Sequence, residues 1–499
     1  MQKLCYDTFI TKTEVNLNKN TKHFWAFVKS KKDNNSIPDT LYLDNSTVSE
    51  GSTIAHVFNT FFQSVFESHP EATSTYPPYR QSECIINSVR CSEDIVKKYL
   101  SKVDANKGSG PDGIHPYFIK MCCKQLAAPI AYLFRLSLSS AVMPLVWKQS
   151  LVVPIHKNGD KHNIRNYRGI SKLSVIPKLF EKIVFDSLNV ALRPIFISQQ
   201  HGFVAGRSTE TNLCEFLDQV LCGMNNGFQV DAVYTDYSKC FDKISHQILV
   251  RKLENIGIHG DLLRWLQSYL ENRTQAVTVK GFKSSFIPIT SGVPQGSHLG
   301  PLFFNIFIND VSQCFQNSKF LLFADDTKIF SIIKSVEDCV RLQEDLDRLC
   351  DYCTINKLTM NVDKCSSITF SRKKTEIKFN YKLFAKDLTK KSENEKERLM
   401  SNLVLSLENH ARIDTIVSFN KCGRVCLAHH SRMYSILNGP LQKIYTNITE
   451  IPLVMGDKWP TCLCYICYHM IRRLHKFIDK SLKANKLLLQ LISSDSESP

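Results

Sequence analysis

The chain has 499 residues, 43% of them hydrophobic, which is enough for a sizeable core and points to two or three domains rather than one. Its net charge of +16 suits a polyanionic partner such as a nucleic acid. The 18 cysteines are scattered without a small-scaffold pattern, and no run of about 18 apolar residues suggests a membrane span. Met1 to Asp7 lack the apolar core of a secretion signal, so reduced thiols in an intracellular protein are expected.

Residues 1–95 are polar and rich in Asn, Ser and Thr. Two apolar islands, His23 to Val28 and Val57 to Phe62, predict short amphipathic helices. A Ser/Thr cluster before Pro77-Pro78 predicts a loop. Further along come Gly108 to Gly113, Val153 to Lys157, Asn166 to Ser171, His201-Gly202-Phe203 and Gly206 to Thr209. Val233 and Tyr234 are good strand formers, which places Asp236 near a strand end. Asp261 is expected to cap a helix with Leu262, Leu263, Leu266, Tyr269 and Leu270 on one face. Gln275 to Val279 alternates like a strand, Lys280-Gly281 reads as its turn, and Ser284 to Ile289 reads as the return. A turn-rich loop, Ser291 to Ser297, then leads into the apolar segment Leu299 to Ile308. There Pro301 suits the first turn of a buried helix.

Phe320 to Phe323 and Lys328 to Ile333 read as two strands, with Ala324-Asp325-Asp326 at the hairpin between them. Two acidic donors at a hairpin tip are what hard divalent cations need, and Asp236 offers a third from a neighbouring strand. Three carboxylates so close would repel one another unless cations lay between them. Ser335 to Asp338 has the form of a capping box. The helix it opens is expected to bury Val336, Cys339, Leu342, Leu346, Leu349 and Cys353, the cysteines as core. Strands interleaved with helices, and a hairpin bearing the acidic site, predict an α+β fold with an antiparallel sheet backed by helices.

Together these motifs resemble reverse transcriptases, and more narrowly those of non-LTR (LINE-type, jockey-like) retrotransposons. The match rests on Asp236 to Asp242, Gly292-Val293-Pro294-Gln295-Gly296 and Phe323-Ala324-Asp325-Asp326. The blocks at 108–113, 153–157, 166–171, 201–209 and 356–364 agree with it in order and spacing. The resemblance implies a right-hand polymerase, with fingers and palm over residues 96–375. It also implies a linker-like helical segment at 1–95 and a thumb-like or divergent region at 376–499. Its implied activity is RNA-directed DNA synthesis from a primer 3′-hydroxyl on an RNA template with dNTPs. The expected setting is a ribonucleoprotein in nucleus and cytoplasm.

The resemblance also assigns roles. Asp236, Asp325 and Asp326 would be catalytic, holding two Mg²⁺ (Mn²⁺ a possible substitute) with the backbone carbonyl of Tyr237. Phe241 would gate the sugar against a 2′-hydroxyl. Gln295 and Gly296 would meet the nucleotide or template base. Lys157 and Arg168 would grip the triphosphate, and Lys364 would protonate pyrophosphate. Arg168 is followed by Gly169 where many relatives have Pro, which predicts a less rigid turn. Lys239 and Asp242 match the pattern without an assigned role.

The C-terminal part is less legible. Lys386 to Arg398 predicts a solvated helix. Cys462, Cys464, Cys467 and His469 form Cys-x-Cys-x2-Cys-x-His, with Cys422, Cys426 and His429 upstream, whereas structural zinc sites favour wider Cys-x2–4-Cys pairs. Leu463, Tyr465 and Ile466 favour a buried helix over a zinc site. No endonuclease motif or RNase H carboxylate set is recognisable, so a truncated copy that uses DNA nicks made in trans is expected. The alternative is a decayed or repurposed domain that binds RNA without polymerising.

Overall fold

The structure, a computed structural model, describes residues 37–44, 46–67, 85–373 and 375–392, with two short strands in the C-terminal region. The chain separates into two compact units, Met1–Lys396 and Glu397–Pro499.

In the first unit, β1 (Leu41–Leu43) and β2 (Ser46–Val48) form a small hairpin before helix α1 (Gly51–Gln63). Ile54, Phe58, Phe61 and Phe62 recur at helical spacing along α1 and bury one face against Val152, Tyr167 and Val277. The island at Val57 to Phe62 is therefore an amphipathic helix, as expected. Helices α2 (Glu93–Ser101), α3 (Pro116–Met121) and α4 (Cys123–Ser139) follow. Ser92 caps α2 by accepting from the Ile95 N–H. Next come β3 (Gln149–His156), β4 (Tyr167–Lys172), α5 (Val175–Leu192), α6 (Thr209–Asn225) and β5 (Gln229–Thr235). The short α7 (Cys240–Lys243) precedes α8 (His246–Asn255), α9 (Gly260–Leu270), β6 (Arg273–Val279), β7 (Phe282–Lys283) and β8 (Ile287–Ile289). The rest is α10 (Leu299–Ile308), β9 (Lys319–Phe323), β10 (Asp326–Ile333), α11 (Val336–Ile355) and β11 (Ser366–Phe370). Three two-residue strands close the run: β12 (Lys382–Leu383), β13 (Lys386–Asp387) and β14 (Thr389–Lys390).

The central sheet has the order β14-β11-β5-β10-β9, antiparallel except where β14 runs parallel to β11. A flanking sheet has the order β4-β3-β6-β7, with β8 also on β6, and its β3–β6 pairing is parallel. The architecture is thus mixed helix and sheet, consistent with α+β. β5 lies mid-sheet with all but Tyr234 buried, so its polar Gln229 and Asp231 are buried with Val230, Ala232 and Val233. α10 is buried on all sides except at Pro301, and its Phe303, Phe304 and Phe307 join Phe134, Phe180, Trp265 and Tyr269 in the main core. The buried ammonium of Lys252 uses all three donors. It reaches the Phe307 carbonyl (2.6 Å), Asp310 (2.7 Å) and the Tyr352 hydroxyl (3.2 Å), tying α8 to the end of α10 and to α11.

Several expectations change. His259, not Asp261, holds the cap position of α9, and Asp261 pairs with Arg264 in the first turn. The α11 capping box forms, Asp338 accepting from the Ser335 N–H at 3.1 Å, and Cys339 and Cys353 are core. Val336, however, is 52% exposed, because the first turn projects past the core. Gly169 sits in β4 opposite Pro154 rather than in a turn, where a Cβ would lie 2.6 Å from Val152. Lys386–Asp387 and Thr389–Lys390 are strands rather than helix. In the second unit Cys462–Cys464 is a strand paired with Met433–Ser435, not a helix. The island at 23–28, the loop at 77–78 and Cys422, Cys426, His429, Cys467 and His469 lie outside the described residues. Among the described residues no helix is long and apolar enough to cross a membrane.

Candidate active site

The two acidic positions converge through strand register. Phe323 pairs with Asp326, so Ala324 and Asp325 form a two-residue turn, and Ala324 takes φ +55° as its first residue. On the other side of β10, Thr327 pairs with Thr235 of β5, the last pair of that ladder, with Asp326 just before the one and Asp236 just after the other. The three carboxylates therefore share one end of the central sheet. Burial, then the negative charges of Asp325 and Asp236, push the Asp326 carboxyl above its ordinary range.

The segment before α6 holds the hairpin in place. Gln200 Oε1 accepts from the N–H groups of Gly202 (2.7 Å) and Ala324 (3.0 Å). The His201 N–H donates to the Leu322 carbonyl at 2.8 Å, and Asn305 Nδ2 donates to the Gly202 carbonyl at 3.0 Å. A Cβ on Gly202 would lie 2.1 Å from the Ala324 nitrogen, so the backbones approach as only glycine permits. The His-Gly-Phe block is thus a prop for the acidic turn. Sequence alone assigns neither this role nor one for Gln200.

The carboxylates face distinct neighbours. Asp236 Oδ2 lies 3.4 Å from Lys364 Nζ, and Asp325 Oδ2 accepts from Cys240 Sγ at 3.4 Å. Beside Asp236, the Asn361 N–H donates to the Asp236 carbonyl (2.8 Å) and the Ser238 N–H to the Thr359 carbonyl (2.8 Å). The carbonyl of Tyr237 stands outside that pair of bonds. Among the described residues no three His, Cys, Asp or Glu side chains are drawn together tightly enough to enclose one ion. The donor chemistry nonetheless fits hard divalent cations: three carboxylates at one sheet end, with Asp326 raised by burial and by the charges of the other two, and Asp236 countered by a lysine. Asp236, Asp325, Asp326 and the Tyr237 carbonyl are the groups that would hold metal.

The other expected residues fall around this end of the sheet. Lys157 follows β3 and its positive charge reaches Asp326. Arg168, on β4, acts in the same way on Asp242. Phe241 stacks on Phe304 with centroids 4.5 Å apart and meets Phe203 edge-on at 6.1 Å. It is half-buried, so its ring both packs and faces outward. Gln295 and Gly296 are held by the flanking sheet and the helix after it: Gln295 accepts from the Ser171 N–H of β4 at 2.7 Å and Gly296 from Lys178 Nζ of α5 at 2.6 Å. Gly292 and Gly296 both have positive φ, and a Cβ on either would strike backbone oxygen, of Asp242 or Ser171. A residue not foreseen is Lys328. It shares a strand face with Asp326, donates to Asn212 at 2.7 Å, and is pushed down to about 8 by burial.

A mixed helix and sheet fold with acidic residues gathered at one sheet end is compatible with a nucleotide-polymerase class of protein. Comparison with known proteins agrees. The reverse transcriptase (RNA-dependent DNA polymerase) family matches residues 155–425, more than half of the chain, and the chain belongs to that family. It is 28% identical over 289 residues to the RNA-directed DNA polymerase from mobile element jockey of Drosophila melanogaster, covering 56% of this chain and 31% of the relative. It is 27% identical over 327 residues to the probable RNA-directed DNA polymerase from transposon BS of the same species, covering 63% and 36%. A Pol polyprotein from the type-2 retrotransposable element R2DM, also from that species, is 25% identical over 280 residues, covering 54% and 25%. These relatives place the chain with non-LTR retrotransposon enzymes, and it spans about a third or less of their length. A second family, the zinc-finger associated domain, matches residues 422–491.

Proposed function

We propose that this chain is an RNA-directed DNA polymerase that extends a DNA primer on an RNA template with dNTPs. In this reading the flanking sheet serves as fingers, the central sheet as palm, and residues 376–499, apart from the strand that joins the palm, as a thumb-like or divergent region. The observation that carries the reading is that Asp236 and Asp326 adjoin the last Thr235–Thr327 pair of β5 and β10, with Asp325 at the adjoining turn and all three charges acting together. Two Mg²⁺ or Mn²⁺ ions, when bound, lower the pKa of the primer 3′-hydroxyl and steady the leaving oxygens. Asp236, Asp325, Asp326 and the Tyr237 carbonyl supply their ligands. Lys157 and Arg168 hold the triphosphate at the rim. Phe241, braced by Phe304, stands under the sugar and excludes a 2′-hydroxyl. Lys364 holds Asp236 at rest and gives a proton to pyrophosphate as it departs.

Primer extension on poly(rA)/oligo(dT) with dTTP and Mg²⁺, run beside Asp325→Asn, tests this reading. Extension by the wild type and none by the variant is expected. A folded wild type that binds RNA but does not extend would replace it with the RNA-holding domain.

We also propose, from the second family match, that residues 422–491 hold one zinc ion. Cys422-x3-Cys426 and Cys464-x2-Cys467 supply two thiolate pairs inside the matched segment. Elemental analysis of the purified protein is expected to find one zinc per chain, and its absence would remove the proposal.

A further inference from the structure

Asp242 follows Phe241 directly. Its Oδ1 accepts a 2.8 Å hydrogen bond from Nε2 of Gln295. The backbone around both residues is fixed independently of that contact. The Gly292 N–H donates to the Ile244 carbonyl at 2.8 Å, the Val293 N–H donates to the Phe241 carbonyl at 2.8 Å, and Ser291 Oγ donates to the Asp242 carbonyl at 2.7 Å. On the other side of the loop, the Ser171 N–H holds the Gln295 carbonyl. The Asp242 carboxylate therefore acts on the Gln295 side chain rather than on the path of the chain.

An ionised carboxylate only accepts hydrogen bonds, whereas a primary amide has one donating and one accepting end. Contact with Asp242 fixes which end is which: Nε2 is held, and Oε1 is the end left over. Arg168 and Lys239 both place positive charge near this carboxylate and favour its acceptor-only form. We propose that Asp242 is a positioning residue for nucleotide selection, holding the Gln295 amide so that Oε1 is offered to a hydrogen-bond donor on the incoming nucleotide. This rests on the polymerase reading. Asparagine at 242 has the same shape but can donate to Oε1, so it allows the amide to reverse.

The test is a double-mutant cycle with poly(rA)/oligo(dT) and dTTP at about pH 8, where an aspartate at 242 is ionised. Wild type, Asp242→Asn, Gln295→Ala and the double variant are compared, with thermal unfolding measured on each. Each single change is expected to raise KM for dTTP about tenfold with kcat nearly unchanged. The double variant is expected to be no worse than Gln295→Ala alone, because one residue acts through the other. Losses that multiply in the double variant, an unchanged KM in Asp242→Asn, or a lower kcat accompanied by a lower Tm would overturn the inference alone. A wild type that does not extend would overturn the polymerase reading and this inference with it.

Discussion

The two sides of the proposed substrate site are built in opposite ways. The acidic side is over-determined: strand register brings Asp236 and Asp326 to one sheet end, and Gln200 and Gly202 clamp the turn that carries Asp325. The basic side is loose, with Lys157 and Arg168 exposed on the flanking sheet and acting on the carboxylates only through their charge. The difference fits the two tasks. Ligands to metal must be held to within a fraction of an ångström, whereas a flexible cation can follow a triphosphate as it arrives.

The strongest way to break this contrast is to move the clamp without touching a carboxylate. Gly202→Ala places a Cβ where the Ala324 nitrogen stands, so the hairpin must shift. A single-turnover extension rate about 100-fold lower is expected, as for other displacements of about 1 Å in an active site. If the rate is unchanged, the prop has no function. Lys252→Ala removes a buried cation and leaves the half-buried Asp310 unpaired, and should destabilise the fold by about 3 kcal/mol, read by urea unfolding. A smaller loss would mean that water replaces the ammonium.

On the loose side the effects should be milder and fall on binding. Phe241→Val should relax the preference for dTTP over UTP by about tenfold or more, since a smaller side chain leaves room for the 2′-hydroxyl. An unchanged ratio would make Phe241 purely a partner of Phe304. Arg168→Ala should raise KM for dTTP several-fold with kcat preserved; a fall in kcat instead would place this cation with the rigid half.

The smallest effect is a pH slope. Burial pushes Asp242 up to about 6 from its ordinary 3.8. The folded state then binds more protons than the unfolded state between those values, so stability falls as pH rises through that window and levels off above it. In Asp242→Asn that slope should vanish, as measured by urea midpoints on either side of the window. A slope that persists would assign it to another group.

Much of the rigid half was legible in the sequence, and less of the rest. Two apolar runs flanking Ala324-Asp325-Asp326 are a local signal, and so is the Ser335 to Asp338 capping box. The parallel pairing of β3 with β6 leaves no local trace, because its partners are more than a hundred residues apart. The same is true of Gln200 beneath Ala324 and of Asp242 with Gln295, contacts between polar side chains that no periodicity marks. The central sheet also continues past residue 375. β14 pairs with β11 from a stretch whose mixed charge suggested a solvated helix, and Tyr381, just before that stretch, donates to the buried Asp231 at 2.8 Å.

The central claim is that Asp236, Asp325 and Asp326 form one site for divalent metal. Its most direct test is calorimetric titration of Mn²⁺ into the protein bound to primer–template and a non-hydrolysable dTTP analogue, beside the Asp236→Asn variant. Two ions are expected in the wild type, and weakened or lost binding in the variant. Equal affinity and stoichiometry in both would contradict it.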